Sequence, residues 1–542
     1  MSKESVNGDA VHLEDPTATT SKDNSIKQPF DVDENGYREI LSDHPVNNMS
    51  WNRIRIYITC FFIYLCSTMN GFDGSLMTSI NTMNEYTTYF HQKNSASGQG
   101  LVFSIYQAGQ ICATAFIWLA DYIGRVYTIF GGVVIVCIGA IMSATCHQIS
   151  VFIGARFLLA FGCGLATAVC PMYLVEICPP ELRSTLSAVY NSFYYIGSII
   201  ATWSIYGTSI TYKGQSLSFR IPLWLQLLCP GMVALTILFI APESPRYLYL
   251  KGKREKARQF FIKYHANDDE DHPLVEYQIS EMEESFLEVP KFSIRDYFDF
   301  RKLFSSKSRT YRSMLVIAWS WFGQFSGNTV VTYYITTIFL DLGVKNATTR
   351  LLLSAVESII AYISATCGSL VVDRLGRRPV MLTCTASFVV CFAIIAGCLA
   401  GFINTGNKKA GSAGIAFIYL YGGVCFPFGY TPLQPLYPAE VLSSEMRARG
   451  MALFQLTQGV AAFVNTYSAP TAMQNIRYWY YVFFVFWDLF EFFIIYFFFV
   501  ETKQLTLEEI EKLFLADKPV KESIEVAERR KAEIKRLASA NV

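Results

Sequence analysis

The stretch Asp121-Tyr-Ile-Gly124-Arg125 returns later in the chain as Asp373-Arg-Leu-Gly376-Arg377-Arg378, and each copy follows a long apolar run. A second motif, a glutamate seven residues before an arginine, also occurs twice, and its members are Glu176, Arg183, Glu440 and Arg447. A third charged phrase follows each pair, at 242–246 and at 501–503. Three matched motifs in the same order indicate an internal repeat of two similar halves.

The residues around these motifs are strongly apolar. Hydrophobic residues make up 52% of the 542 residues and charged residues only 16%, which is more apolar surface than soluble domains can bury. Runs of roughly twenty apolar residues are long enough to cross ~30 Å of hydrocarbon as helices. The predicted crossings lie at 54–76, 98–119, 127–146, 150–172, 186–206, 221–241, 312–334, 351–372, 379–402, 412–434, 449–470 and 477–500. The sequence therefore predicts an all-α membrane protein with twelve transmembrane helices in two six-helix halves that repeat in parallel.

The distribution of basic residues predicts the orientation. The charged insert between the sixth and seventh crossings and the short loops that hold the motif arginines are rich in Lys and Arg, which places them in the cytosol by the positive-inside rule. An even number of crossings then puts both termini on the same side. We expect a disordered cytosolic tail over 1–50, the first half over 51–242, a cytosolic helical linker over 243–311, the second half over 312–500 and a cytosolic tail over 501–542.

The sequence gives no indication of an enzyme or a metalloprotein. Its fourteen cysteines lie mostly in apolar stretches without a Cys-x-x-Cys pair, and its six histidines fall in the predicted tails and loops. No nucleophile–base pair or phosphate-binding loop stands within the crossings. With a net charge of +1, nothing suggests a nucleic-acid partner. We expect no metal and no cofactor, with the lipid bilayer and a small molecule as the partners of a monomer.

Together with Arg220-Ile-Pro222 and Gln226, the repeated motifs resemble the sugar porter family of the major facilitator superfamily over about residues 50 to 515. Three phrases resemble its fungal lactose permease-like branch: Gly71-Phe-Asp73-Gly-Ser-Leu-Met, Gly323-Gln324-Phe-Ser-Gly-Asn328, and Thr431 to Glu440. The resemblance implies the major facilitator fold, in which the substrate binds between the halves near the middle of the membrane. It also implies transport of hexoses, disaccharides or sugar derivatives across the plasma membrane, often with a proton.

A charged residue inside the first crossing is the candidate for proton coupling. An ionised Asp73 facing lipid would cost at least a few kcal/mol, so this carboxyl must pair, protonate or line a wet cavity. The resemblance matches Asp73 to an aspartate of the family's proton symporters and Arg156 to its arginine partner. Protonation of Asp73 would release the pair and permit a change of state. A static ion pair that holds the first and fourth crossings together is the alternative.

Sugars need side chains that both donate and accept hydrogen bonds. The resemblance matches Gln324, Gln458 and Asn191 to sugar ligands of the family, and it matches two tyrosines to aromatic residues of the outer gate. Glu357, an acid within the eighth crossing, could bind a hydroxyl or an amino substituent. The candidate sugar-binding residues are Asn191, Gln324, Asn328, Gln458, Gln434, Tyr333, Tyr334 and Glu357. For the amides Gln324, Asn191 and Gln458, a structural role in bridging helices is the alternative.

The sequence departs from the family pattern at several of these places. Gly323 replaces a second glutamine, Pro435 replaces a tryptophan and Asn70 replaces an aromatic residue, which predicts a differently shaped and more polar pocket. Val126 replaces the second basic residue of the first Asp-x-x-Gly-Arg motif. Asp488 and Glu491, in the peripheral twelfth crossing, are expected to be structural.

The repeated charges predict a gate at the cytosolic helix ends, where pairs across neighbouring helices would stabilise the outward-facing state. The candidate gate residues are Asp121, Arg125, Glu176, Arg183, Asp373, Arg377, Arg378, Glu440 and Arg447.

The hypothesis from sequence is a proton-coupled sugar symporter of the plasma membrane that works by alternating access. A facilitated sugar uniporter is the first alternative. A sugar sensor that does not transport is the alternative from another class.

Overall fold

The computed structural model describes residues 40–41, 43–90, 96–287, 299–503, 507–516 and 518–540, and its regular elements there are helices. Most of the predicted 1–50 tail lies outside the described residues. The first half contains α1 (Trp51–Ile80), α2 (Asn84–Tyr89), α3 (Ala96–Thr114), α4 (Leu119–Ile123), α5 (Arg125–Thr145), α6 (Ile149–Ile177), α7 (Pro180–Thr211), α8 (Leu217–Leu225) and α9 (Leu228–Ile240).

The remaining elements are the linker, the second half and the C-terminal segment. The linker contains α10 (Pro245–Leu250), α11 (Arg254–Tyr264), α12 (Pro273–Leu287) and a 3₁₀ turn (Phe300–Phe304). The second half contains α13 (Lys307–Phe325), α14 (Asn328–Asp341), α15 (Ala347–Leu375), α16 (Arg377–Thr405), α17 (Lys408–Ile418), a π-helical turn (Tyr419–Cys425), α18 (Phe426–Val441), α19 (Ser444–Ile476) and α20 (Trp479–Phe498). Two further helices follow, α21 (Leu507–Leu515) and α22 (Pro519–Ala540).

Three crossings each consist of two helices with a short interruption between them, namely α8 and α9, α13 and α14, and α17 and α18. When each pair is counted as one segment, the described part of the chain has a long helical segment at each of the twelve predicted crossings. Seven of the segments there pass a strict test of length and hydropathy for a membrane span. The five that do not are α1, α3, α7, α13–α14 and α19, which carry many of the polar side chains that line a central cavity.

Apolar side chains cover the outside of the bundle. Leu235, Phe239, Leu370 and Phe486 are between 68% and 80% exposed in the isolated chain. In water such a surface would be unfavourable, whereas lipid accepts it. This belt, together with the long helices, defines a multi-pass membrane protein.

The two halves meet mainly along three helix pairs: α3 packs against α19, α7 against α15, and α1 against α14. Small residues let helices approach closely within each half. A Cβ at Gly197 would overlap the backbone of Thr68 in α1, and a Cβ at Gly368 would overlap the backbone of Phe428 in α18. Close packing within the halves leaves the space between them for the cavity.

Candidate substrate cavity

A cavity of about 390 Å³ lies between the halves, which is within the size range of small-molecule sites. Polar side chains from both halves line it. Its amide side chains are those of Asn70, Gln107, Gln110, Gln324, Asn328, Gln434, Gln455 and Gln458. Hydroxyl groups and aromatic rings stand among the amides, including Tyr106, Tyr194, Tyr195 and Tyr333. Donors, acceptors and ring faces together suit a hydroxylated ring compound.

The seventh crossing is broken beside the cavity. Gly327 has φ +86°, where α13 has ended and α14 begins, and the ring of Phe392 fills the space that a Cβ there would need. Irregular backbone at membrane depth is tolerated where it lines a polar cavity. The break places Gln324, Asn328 and Thr329 on the lining, and the Thr329 hydroxyl donates to Gln324 Oε1 at 3.0 Å.

Gln434 reaches across the cavity wall to Gly323. A Cβ at Gly323 would overlap the Gln434 amide, whose Nε2 lies 3.5 Å from the carbonyl oxygen of Trp319. The Oε1 atom of Gln434 is buried without a hydrogen-bond partner. The missing side chain at position 323 is therefore what makes room for this amide.

The structure brings most of the predicted sugar-binding residues together. Gln324, Asn328, Gln434, Gln458, Tyr333 and Glu357 all line the cavity. Tyr333 also contributes to its outer wall, since its hydroxyl accepts a hydrogen bond from Gln107 Nε2 at 2.9 Å.

Asn191 and Tyr334 are not among the lining residues. Asn191 is half-buried on α7, one turn before Tyr194 and Tyr195, so it lies closer to the helix ends that carry the motifs. Tyr334 has a non-helical backbone (φ −125°, ψ 16°) and is buried. Its hydroxyl donates to the carbonyl oxygen of Thr466 at 2.8 Å, away from the cavity. Because the backbone is non-helical at Tyr334, the side chain of Tyr333 lines the cavity and that of Tyr334 packs away from it.

Sequence reasoning missed several lining residues of the first half. Gln107 and Gln110 lie on one face of α3, and Tyr194, Tyr195, Ser198 and Thr202 lie on one face of α7. Their spacing of three or four residues within apolar helices was the available signal. Asn70, noted only as a departure from the family pattern, lies on α1 where the Tyr106 hydroxyl approaches its Oδ1 at 3.3 Å.

Asp73 lies in α1 and is fully buried. One carboxylate oxygen accepts a hydrogen bond from the Gln226 amide, and the other has no partner. Arg156 contacts the same residue through the backbone, because its Nη2 donates to the carbonyl oxygen of Asp73 at 3.4 Å. The two residues are neighbours as the sequence predicted. The carboxylate, however, is bonded by Gln226 rather than by Arg156.

The Arg156 guanidinium lies over the ring of Tyr106, 5.0 Å from its centroid. Its Nε and Nη1 atoms are buried without hydrogen-bond partners. Buried polar atoms without partners are costly, so both the Asp73 carboxyl and the Arg156 guanidinium would be stabilised by a further partner. Tyr106 lines the cavity, so it connects this pair with the substrate space.

In the first half, the candidate gate residues are centred on Arg125. This side chain is almost fully buried and pairs with Glu176 at 3.0 Å and with Asp121 at 2.9 Å. Glu243 Oε1 accepts from the backbone N–H of Arg125 at 3.1 Å and so caps the start of α5. Burial raises the pKa of the Glu243 carboxyl above its usual value, although three backbone N–H groups oppose this. Burial likewise raises the pKa of Asp121, against the effect of Arg125.

The second half repeats this geometry. Arg377 pairs with Glu440 at 2.7 Å, and Glu501 Oε1 accepts from the backbone N–H of Arg377 at 3.0 Å. The glycine before each arginine has an extended backbone with positive φ, +116° at Gly124 and +103° at Gly376. Glu243 and Glu501 are therefore equivalent capping residues. Sequence reasoning placed both in the third repeated motif but assigned them no role.

The remaining gate candidates differ. Arg378 is not part of the Arg377–Glu440 pair: its Nη2 donates to the carbonyl oxygen of Tyr496 at 2.6 Å. Val126 occupies the equivalent place in the first half and is buried, so the missing basic residue removes no gate contact. Arg447 is half-buried. The side chains of Arg183 and Asp373 lie outside the described residues.

Hydrogen bonds join the two halves around the cavity and at its end away from the motifs. Thr78 Oγ1 donates to the carbonyl oxygen of Thr332 at 3.1 Å, and Thr336 Oγ1 donates to that of Thr78 at 3.3 Å. Deeper in the bundle, the Tyr195 and Thr431 hydroxyls lie 2.9 Å apart. The two contacts of Thr78 therefore join α1 and α14 on the side that the sequence predicts to be extracellular.

Two repeated helical halves, a polar cavity between them and matched charge pairs at one end define a membrane transporter. The family model described as "Sugar (and other) transporter" matches residues 59–514, and the chain belongs to that family, the sugar porters of the major facilitator superfamily. The family consists of transporters rather than enzymes. The resemblance of the motifs to the sugar porter family is confirmed.

Curated relatives cover most of the chain at low identity. A high-affinity glucose transporter of Kluyveromyces lactis is 26% identical and covers 86% of each chain. Hexose transporter HXT13 of Saccharomyces cerevisiae is 28% identical over 85% of this chain and 82% of its own length. A quinate permease of Emericella nidulans is 25% identical over 88% of this chain and 91% of its own length.

Solved structures confirm the fold. The inward-open xylose transporter XylE of E. coli superposes with a TM-score of 0.69 at 19% identity, over 84% of this chain and 99% of XylE. The same proton:xylose symporter bound to 6-bromo-6-deoxy-D-glucose gives a TM-score of 0.68 at 19% identity, over 86% and 100% of the two chains. The predicted twelve-helix major facilitator fold is thereby confirmed.

Proposed function

We propose that this transporter takes up a sugar across the plasma membrane together with a proton, by alternating access, with both termini in the cytosol. The observation that carries the proposal is the buried Asp73 beside an amide-rich cavity, with Arg156 next to it and not bonded to its carboxylate. The named functions of its relatives, hexose and glucose transport, support a sugar as the cargo.

The lining chemistry favours a sugar over an organic anion. Carboxylate cargo such as quinate is best held by Arg or Lys, which form charge-assisted hydrogen bonds with it. Within the described part of the cavity lining, no Arg or Lys is present and the one charged side chain is the acid Glu357. Amides and hydroxyls, which the lining offers in number, bind sugar hydroxyl groups through both donors and acceptors.

Asp73 is the proposed proton site. A buried carboxyl with one unpartnered oxygen favours the neutral form, and a neighbouring guanidinium favours the charged form, so the local balance depends on how the two groups are arranged. When the helix bundle alternates between its two states, the positions of the Asp73 carboxyl and the Arg156 guanidinium relative to each other change. Protonation can then be linked to the state that binds sugar, which is what symport requires.

Uptake by proteoliposomes that contain the purified full-length protein tests the proposal. A panel of labelled hexoses, disaccharides, amino sugars and quinate is offered with and without an inward proton gradient. We expect at least one sugar to accumulate above its external concentration only with the gradient. Equal rates without accumulation would identify the uniporter, and no exchange of any sugar would identify the non-transporting sensor.

A further inference from the structure

Glu357 is a carboxylate that lines the cavity without a partner. It lies on α15 and is half-buried, and it makes no hydrogen bond or ion pair with any residue that the structure describes. Nearby polar residues of the same helix behave differently. Ser358, for example, accepts a hydrogen bond from Ser198 at 3.2 Å across the interface of the halves. The Glu357 carboxylate is therefore available to bind a ligand in the cavity.

A turn with two adjacent glycines packs beside the Glu357 carboxylate. The π-helical turn Tyr419–Cys425 between α17 and α18 contains Gly422 and Gly423, and π turns are frequent at functional sites. A Cβ at Gly422 would lie 3.2 Å from Glu357 Oε1 and 2.9 Å from Val331 Cγ1. The absence of side chains at the two glycines lets this turn pack closely against Glu357, which still lines the cavity.

The negative charge of Glu357 indicates which charge its ligand carries. While the cavity is open, water can solvate the Glu357 carboxylate. When the cavity closes around its cargo and water leaves, an uncompensated carboxylate becomes costly. The described lining offers no cation to compensate it, but it does offer the aromatic rings of Tyr194, Tyr195, Tyr333 and Phe426. A carboxylate among aromatic rings is a favourable site for an ammonium group.

We propose that Glu357 binds a protonated amino group on the cargo, so that the cavity prefers amino sugars to their neutral and anionic counterparts. The proposal rests on the proposed function, because it assumes that the cavity is where sugar binds. It adds the class of sugar and the residue that selects it.

Exchange transport in proteoliposomes with the full-length protein tests the selectivity. Exchange of labelled glucose and of labelled galactose is measured in competition with the matching 2-amino-2-deoxy sugar, its N-acetyl derivative and the uronate, at a pH where the amine is protonated. The amino sugar should compete about tenfold better than the neutral sugar, as one charge-assisted hydrogen bond allows. The uronate should compete least.

Glu357→Gln should lower the ratio of amino-sugar to neutral-sugar competition about tenfold, whatever its effect on exchange of the neutral sugar, and Glu357→Asp should retain part of the preference. An amino sugar that competes no better than the neutral sugar in the wild-type protein overturns the proposal, whether or not the variants fold. A preference that survives in Glu357→Gln, or an equal loss for both sugars, overturns it as well. Absence of exchange for every sugar would instead overturn the proposed function.

Discussion

The amide of Gln434, on α18, occupies the space that a side chain at Gly323 of α13 would fill. Relative to the sugar porter pattern, the sequence lacks a glutamine at position 323 and a tryptophan at position 435. In the structure both departures fall in the same part of the cavity lining, because the amide of Gln434, next to Pro435, extends over Gly323. An amide is thus still present in this part of the lining, although it comes from the opposite helix.

Gly323→Ala should displace the Gln434 amide and weaken sugar binding. The added methyl group cannot fit without moving the amide, and the loss of one or two hydrogen bonds to sugar corresponds to a rise in KM of about tenfold. The KM for sugar is measured from uptake kinetics in proteoliposomes. Gly397→Ala is the matched control, because a Cβ there meets nothing within 4 Å. An unchanged KM in Gly323→Ala would show that Gln434 does not touch the sugar.

Asp73→Asn should abolish accumulation of sugar against its gradient and leave exchange intact. The amide keeps the size of the side chain and can still be bonded by Gln226, but it cannot take up a proton. The measurement compares gradient-driven uptake with exchange of labelled sugar at equal concentrations. Gln226→Glu, which places a second acid beside Asp73, should alter the pH dependence of uptake. Uphill uptake by Asp73→Asn would rule out Asp73 as the coupling site.

Tyr333→Phe and Tyr334→Phe should have different effects although the residues are adjacent. The Tyr333 hydroxyl contacts Gln107 at the cavity wall, so its removal should change KM several-fold with little effect on thermal stability. The Tyr334 hydroxyl is buried against the Thr466 carbonyl, so its removal should cost about 1 kcal/mol of stability with KM unchanged.

Sugar uptake and thermal unfolding of the purified protein, measured on both tyrosine variants, separate these effects. Each variant is the control for the other, since both lose one hydroxyl from the same crossing. Identical effects of the two changes on KM would contradict the different directions of the side chains at the kink.

Glu176→Gln should destabilise the protein more than Glu440→Gln. The Arg125–Glu176 side chains are 4% and 9% exposed, whereas those of Arg377 and Glu440 are 10% and 21% exposed. Glu176→Gln leaves Arg125 with Asp121 as an acidic partner, but the pair that it breaks is the more deeply buried one, so we expect about 2 kcal/mol for the first change and about 1 kcal/mol for the second. Thermal unfolding midpoints in one detergent give the order, and the reverse order would contradict the burial argument.

Much of the fold could be predicted from local features of the sequence. A run of apolar residues requires lipid or a core wherever it stands, and the repeated motifs showed that the two halves are parallel. The gate pairs Arg125–Glu176 and Arg377–Glu440 followed from the same repeat. The capping roles of Glu243 and Glu501 could have been inferred from it too, since both acids follow the last crossing of their half.

The sequence by itself determined the class of protein, the twelve crossings and the charge pairs Arg125–Glu176 and Arg377–Glu440, because hydropathy and repeated charge are properties of short segments. Only the tertiary structure decided which polar side chains share the cavity. Gln226 reaches Asp73 across 153 residues, and Gln434 fills the space over Gly323 from another helix. Such contacts depend on how helices are rotated and broken, as at Gly327 and Tyr334. Helix rotation and position are set by packing between distant segments, which no local pattern contains.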